Sequence, residues 1–234
     1  MRLAYAALLS AAVAARTVAA RPAHLVADLA PEAIRGAIEP FAPAVATGDD
    51  LYFEAVDPTY FGQLWRTNGS PGDLKRVTSV EGGGIRAFAA VDGVVYYFGF
   101  EPPGITLRKI TPLAEDAEAV ASFADTDGLA IVGDTLVFAA NDGVHGWEPW
   151  QSDGTPGGTS ILADLVPGGG NSDPFGFTRA DGTFAFFFAA TDAGQAALWR
   201  TDGTAAGTRR VAGFGTAPAE GFRPSVLGVV GGEL

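Results

Sequence analysis

The chain has 234 residues, with 27 acidic against 15 basic side chains and a formal net charge of −12. That balance excludes the basic footprint of a nucleic-acid binder and electrostatic docking on anionic lipid. With no cysteine in the sequence, thiol catalysis, cysteine-ligated zinc and disulfides are excluded too. Hydrophobic residues make up 47%, enough for a sizeable core, and 32 glycines, 15 prolines and 16 phenylalanines favour many short strands joined by tight turns.

In chain order, residues 1–20 read as a secretory signal. Arg2 supplies the positive end, Leu3 to Ala15 is apolar apart from Ser10, and Val18-Ala19-Ala20 offers small residues for cleavage. The apolar stretch falls short of the roughly 20 residues that a membrane span needs, and no later segment is long and apolar enough. The sequence therefore predicts a mature chain of 21–234, secreted to the cell surface or the medium, with the periplasm as the alternative. HLVADLAP (24–31) opens that mature chain. Gly48-Asp49 then makes a hairpin turn into the apolar strand LYF (51–53), followed by Asp57, the segment LWRTNGSPG (64–72) and LKRVTSV (74–80).

The same order recurs. Gly133-Asp134, LVF (136–138), Asp142, PWQSDGTPGGT (149–159) and SILADLVP (160–167) form one copy. Asp181-Gly182, FFF (186–188), Asp192, LWRTDGTAAGT (198–208) and RRVAGFG (209–215) form another. Between the first copy and these lies an eroded one: Asp92-Gly93 and VVYYF (94–98), with Leu107 in the tryptophan position and no Asp-Gly-Thr turn. Residues 114–124 (AEDAEAVASFA) then read as a short helix or a surface insertion. GGEL (231–234) looks like the start of a partial fifth copy. Phe53 precedes Trp65, and Phe138 precedes Trp150, by 12 positions, while Phe188 precedes Trp199 by 11.

A complete motif at nearly even spacing decides architecture. Units of about 41–50 residues with three or four short strands match propeller blades. The fold expected is all-β, a β-propeller of about four copies plus a partial fifth over 21–234, incomplete or a fragment of a longer array. Blades stack, and rows of Trp and Phe fill the gaps between sheets. An open blade edge would invite self-association.

NDGVHGWEPWQSDGTPGGT (141–159) and LWRTDGTAAGT (198–208) resemble the ELWxxDGT-repeat proteins, exported bacterial proteins similar to β-propellers. The likeness covers most of residues 24–234, strongly in the last two full copies and weakly around 94–128. Asn68-Gly69-Ser70 departs from Asp-Gly-Thr and Leu107 departs from Trp. The resemblance implies a fold and an exported location, with no catalytic residues and no defined ligand.

The candidate site residues are few. His145 and Glu148 lie beside Trp147 in the one irregular loop, and Trp147 breaks the regular tryptophan spacing, so these three are the ligand-binding candidates for a protein or glycan. Asp142, Asp153, Asp192 and Asp202 recur in Gly-rich loops and are the calcium candidates, against the simpler reading that Asp153 and Asp202 cap turns. Asp125-Thr126-Asp127-Gly128 begins like a calcium loop but lacks the downstream glutamate. GGGNS (168–172) reads as a flexible turn. The functional expectation is a non-catalytic exported interaction module without cofactor. The alternative is a propeller enzyme, a hydrolase or lyase acting on glycans, which would need a convergent acid–base cluster.

Overall fold

The computed structural model describes residues 44–56, 62–78, 84–111, 114, 116–180 and 182–216. The predicted signal at 1–20, the segment at 24–31, Asp57 and the partial copy at 231–234 lie outside them. The described residues form sixteen strands in four sheets, each a four-stranded antiparallel meander, with no helix among them. The first sheet holds β1 (Ala44–Thr47), β2 (Asp50–Val56), β3 (Gly62–Thr67) and β4 (Lys75–Arg76). The second holds β5 (Ile85–Val91), β6 (Val94–Glu101), β7 (Gly104–Ile110) and β8 (Glu118–Phe123). The third holds β9 (Asp125–Val132), β10 (Thr135–Asn141), β11 (Trp147–Ser152) and β12 (Thr159–Ile161). The fourth holds β13 (Phe175–Arg179), β14 (Ala185–Ala190), β15 (Gln195–Thr201) and β16 (Arg209–Thr216).

The first strands of successive sheets lie side by side, β1 by β5, β5 by β9 and β9 by β13. This is the radial stacking of propeller blades. The apolar strands expected from sequence are the second strand of each sheet. The innermost strands carry no aromatic signature in β1 and are masked by Asp and Gly in β9, so the sequence does not announce them. One expectation is corrected here. Residues 118–123 form β8, the outer strand of the second sheet, rather than a helix or insertion. Asp125-Thr126-Asp127-Gly128 is the start of β9, paired to β10, rather than an ion-binding loop.

Tight turns set the register. Asp92 (φ 50°) and Gly93 (φ 81°) both take the left-handed conformation that a two-residue hairpin needs, between the paired Val91 and Val94. The pairing also corrects two alignments. Phe53 lies opposite Trp65 and Phe138 opposite Trp150, but Trp199 faces Phe187, not Phe188, which restores the 12-residue interval. In the second sheet, counting from its turn puts Tyr97 at the aromatic position, and its partner is Arg108. Leu107 pairs with Phe98 on the opposite face of that sheet.

Side-chain alternation then builds one core layer per junction. Tyr52 and Leu64 meet Phe88, Val95 and Tyr97 between the first two sheets. Phe98, Leu107 and Phe123 meet Leu136 and Phe138 between the second and third, with Trp150 packed against them. Val137 and Leu162 meet Ala185 between the third and fourth. Phe98 and Phe138 are edge-to-face at 5.1 Å, and Phe123 stands edge-on to Trp150 at 5.1 Å. Complete burial of residues such as Phe98, Leu107 and Phe138 stabilises by about 1.5–3 kcal/mol each. Trp150 and Trp199 are half-buried in these layers rather than sealed in them.

Candidate functional site

In a meander, alternate connections lie at opposite ends of the sheet. The β9–β10 and β11–β12 turns therefore share one end. The β10–β11 loop and the segment leaving β12 share the other. The Asp-Gly-Thr turns belong to the first end. In the third sheet, Asp153 Oδ1 accepts from the Thr155 N–H (2.9 Å) and the Thr155 hydroxyl (2.7 Å), while the Thr155 hydroxyl oxygen accepts the Gly158 N–H (3.0 Å). In the fourth sheet Asp202, Thr204 and Gly207 repeat the same bonds at 2.9, 2.7 and 3.0 Å. Hydrogen bonds from the paired Thr outweigh desolvation and hold both carboxyls below the usual aspartate range. The first sheet's Asn68 does part of the same work, accepting the Ser70 N–H at 2.9 Å. The central glycine is obligatory twice over. Gly154 and Gly203 have φ of 82° and 86°, and a Cβ would strike Tyr96 of the preceding sheet at the first and crowd Thr135 at the second.

Asp153 and Asp202 are thus turn caps. Asp142 and Asp192 sit at the other end of the sheets. Asp192 is exposed in the β14–β15 turn, which closes through Thr191 and Gln195. The four do not converge, and among the described residues no group of three His, Cys, Asp or Glu side chains could hold a metal ion.

The loop pair of the third sheet is the elaborated feature of the opposite end. Asp142 organises its first half: Oδ1 accepts the Val144 and His145 N–H groups (2.9 and 2.8 Å), and Oδ2 lies 2.7 Å from His145 Nδ1. Burial pushes the Asp142 carboxyl up, but these bonds together with the His145 side chain outweigh it and leave it lowered. Among the described residues His145 bonds Asp142 alone.

Glu148 is fully buried. Its Oε2 accepts the Leu165 N–H (2.9 Å) and the Ser172 hydroxyl (2.7 Å), and its Oε1 accepts the Val166 N–H (3.2 Å). Burial raises its pKa above the usual glutamate value, and those three donors only partly oppose this. The equivalent in the first sheet, two residues before Trp65, is buried Gln63, whose Oε1 accepts from the Thr78 hydroxyl at 2.8 Å. The Glu or Gln of the repeat therefore ties the outgoing segment to its own sheet.

Trp147 opens β11 half-buried rather than as a free platform, its N–H donating to Asn171 Oδ1 at 2.9 Å and its carbonyl accepting the Ser172 N–H at 2.9 Å. The structure thus brings Trp147, His145 and Glu148 together, but turns the glutamate inward and ties the histidine to Asp142. Asn171 and Ser172 are the residues that sequence reasoning missed. They lie in the stretch read as a flexible turn, yet Ser172 is fully buried. A polar pair closing a glycine run was the one available signal. What faces outward is Val144, 68% exposed, at the tip of the first loop.

No family model and no curated protein sequence matches the chain. Solved structures do. A putative TolB from Agrobacterium tumefaciens is similar with a TM-score of 0.51 at 9% identity, over 72% of this chain and 62% of that one. A puromycin-hydrolyzing peptidase of Mycobacterium tuberculosis gives 0.53 at 14%, over 72% of this chain and 28% of that one. One of two prolyl endopeptidases gives 0.50 at 14%, over 70% of this chain and 24% of that one. The chain thus spans between 24% and 62% of the length of these structures. They are β-propeller proteins, and the likeness concerns fold alone. Four stacked four-stranded meanders and these neighbours define the described part of the chain as β-propeller. Among the described residues no helix is long and apolar enough to cross a membrane.

Proposed function

We propose that this chain is an exported β-propeller module of the ELWxxDGT-repeat type that binds a protein or a glycan without catalysis. In this reading residues 1–20 are its cleaved signal, and the loop pair of the third sheet is its ligand-facing surface. The observation that carries the reading is the commitment of Glu148. Its buried carboxylate is occupied by two backbone N–H groups and a serine hydroxyl that hold the second loop. A glycan hydrolase or lyase needs acid and base groups that reach the substrate, and here the acid faces the interior. Exposed Val144 and half-buried Trp147 on a braced loop suit a binding tip carried by a rigid scaffold. The charge of −12 suits an extracellular setting.

The test is to titrate the purified protein with neutral oligosaccharides, following tryptophan fluorescence and the release of reducing ends together. Saturable binding that weakens in V144D and W147A, with no new reducing ends, is the expected result. Reducing ends released by the wild type and abolished in H145A would replace this reading with that of a glycan-cleaving enzyme.

A further inference from the structure

The residue that follows the repeated aromatic-pair position can be compared across all four sheets. In the first, Arg66 lies directly across from Lys75, and Asp50 at 3.3 Å and Asp73 at 3.8 Å relieve the like charges. In the second, Lys109 faces Glu118 at 3.3 Å. In the third the pair is neutral, Gln151 donating to Ser160 Oγ at 3.3 Å. In the fourth, Arg200 lies directly across from Arg209, and Phe184 stands where the first sheet has Asp50, three residues before the aromatic partner of the tryptophan.

Like charges directly opposite on a sheet are destabilising. Three of the sheets avoid or neutralise them; in the fourth, Asp202 acts on Arg200 only from beyond ion-pair distance. Arg210 joins Arg200 and Arg209 around an open groove of about 440 Å³, whose remaining lining is Phe184, Phe186 and Val211. None of the three arginines has a described carboxylate within ion-pair distance, in a chain that carries 27 acidic residues. The Arg200 guanidinium rests 3.9 Å from the centre of the Phe184 ring. That contact holds the guanidinium over the ring at the groove's wall.

We propose that this groove on the fourth sheet binds the carboxylate groups of an acidic polysaccharide. A carboxylate seated between Arg200 and Arg209 supplies the missing counter-charge in bidentate geometry. The apolar C–H face of the sugar lies against Val211, which is 51% exposed, and the phenylalanine floor. A glycan fits better than an acidic peptide because the groove sets its arginines beside the apolar surface of Phe184, Phe186 and Val211, which suits a sugar ring that carries a carboxylate next to its C–H face. The inference rests on the reading of the chain as a binding module and names a ligand class for it, at a place separate from the loop pair.

The experiment is affinity electrophoresis of the purified protein in native gels cast with polygalacturonate. Retardation that weakens with added salt is expected. The double variant R200Q/R209Q, which also removes the like-charge pair and is expected to melt no lower than the wild type, and the exposed single variant R210Q, with unchanged melting temperature, are each expected to weaken binding about tenfold or more, a change of about one charge-assisted contact. R210Q decides the matter alone if the double variant does not fold. Absence of retardation overturns the groove as a site. So does retardation unaffected by the arginine variants but lost in V144D, an outcome that leaves the binding-module reading standing at the loops. Poly-L-glutamate binding as tightly as polygalacturonate overturns the choice of a glycan.

Discussion

Ser172 donates its hydroxyl to Glu148 Oε2 at 2.7 Å across 24 positions of sequence, and both side chains are fully buried. With the Leu165 and Val166 N–H groups on the same carboxylate, this contact fixes where the segment leaving the third sheet crosses the β10–β11 loop. Removing one donor leaves the others paired. Changing the carboxylate to an amide sets an NH2 group against backbone N–H donors, so E148Q is expected to destabilise more than S172A, each by about 1–3 kcal/mol. Urea denaturation of the two variants beside the wild type measures the order.

Glu148 also predicts a pH dependence. Burial raises its folded pKa above the unfolded value, net of its hydrogen bonds. Its contribution to stability is therefore fully present below the unfolded value and is lost as pH rises through the folded one. The stability gap between wild type and E148Q is expected to be widest at the acid end of that window and to shrink toward neutrality. Denaturation midpoints of both proteins across this range check the sign, and a gap that grows toward neutral pH contradicts it.

The capped turns titrate the other way. Hydrogen bonds from Thr155 to Asp153 and from Thr204 to Asp202 lower both carboxyls, so their contribution is present above the unfolded aspartate value and fades as pH falls through the folded one. Because the two bond sets match, D153A and D202A are expected to cost the same, about 1 kcal/mol each. A difference of several-fold between them in thermal denaturation would show that one turn has a further partner.

How the repeat reads in sequence follows from what each residue does. The Asp-Gly-Thr turn and the Phe–Trp cross-strand pair are local, so their residue types and spacing are fixed by one hairpin and are legible. The innermost strands are defined by the neighbouring sheet rather than by their own alternation, so AVAT (44–47) and DTDG (125–128) give no signal. The second sheet was misaligned by one position because Tyr96, Tyr97 and Phe98 are all aromatic, and only the turn at Asp92-Gly93 decides which of them faces the first sheet. At the site, Trp147, His145 and Glu148 stand out as irregular, but a glutamate that faces substrate and one that faces Ser172 look alike until the segment after β12 is placed. The arginine groove was not legible at all. Arg200 and Arg209 gain meaning only from cross-strand register.

Calcium candidates separated between two ends of the sheets cannot share an ion. Chelation with EDTA is expected to move the melting temperature by no more than a few degrees, within the change of about 1 kcal/mol that a weakly held ion contributes. A large loss on chelation, restored by calcium, would return Asp142, Asp153, Asp192 and Asp202 to consideration one turn at a time.

The tryptophans offer a test of the blade packing itself. Trp150 lies half-buried against Phe123 and the layer between the second and third sheets, and its indole N–H is buried with no acceptor. Trp199 lies against Phe187 with their planes 13° apart, and its N–H reaches the Ala189 carbonyl at 3.4 Å. Truncating Trp150 to alanine removes a large aromatic from an inter-sheet layer and is expected to cost about 3–5 kcal/mol. Replacing it with phenylalanine also removes an unpaired buried donor, whose desolvation is itself unfavourable, so W150F is expected to recover much of that loss. For Trp199 the same replacement removes a donor that has an acceptor, and W199F is expected to be the less tolerated of the two phenylalanine variants. Urea denaturation of W150A, W150F and W199F supplies the comparison. If W150A melts like the wild type, Trp150 does not hold the second and third sheets together, and the layer assigned to that junction is wrong.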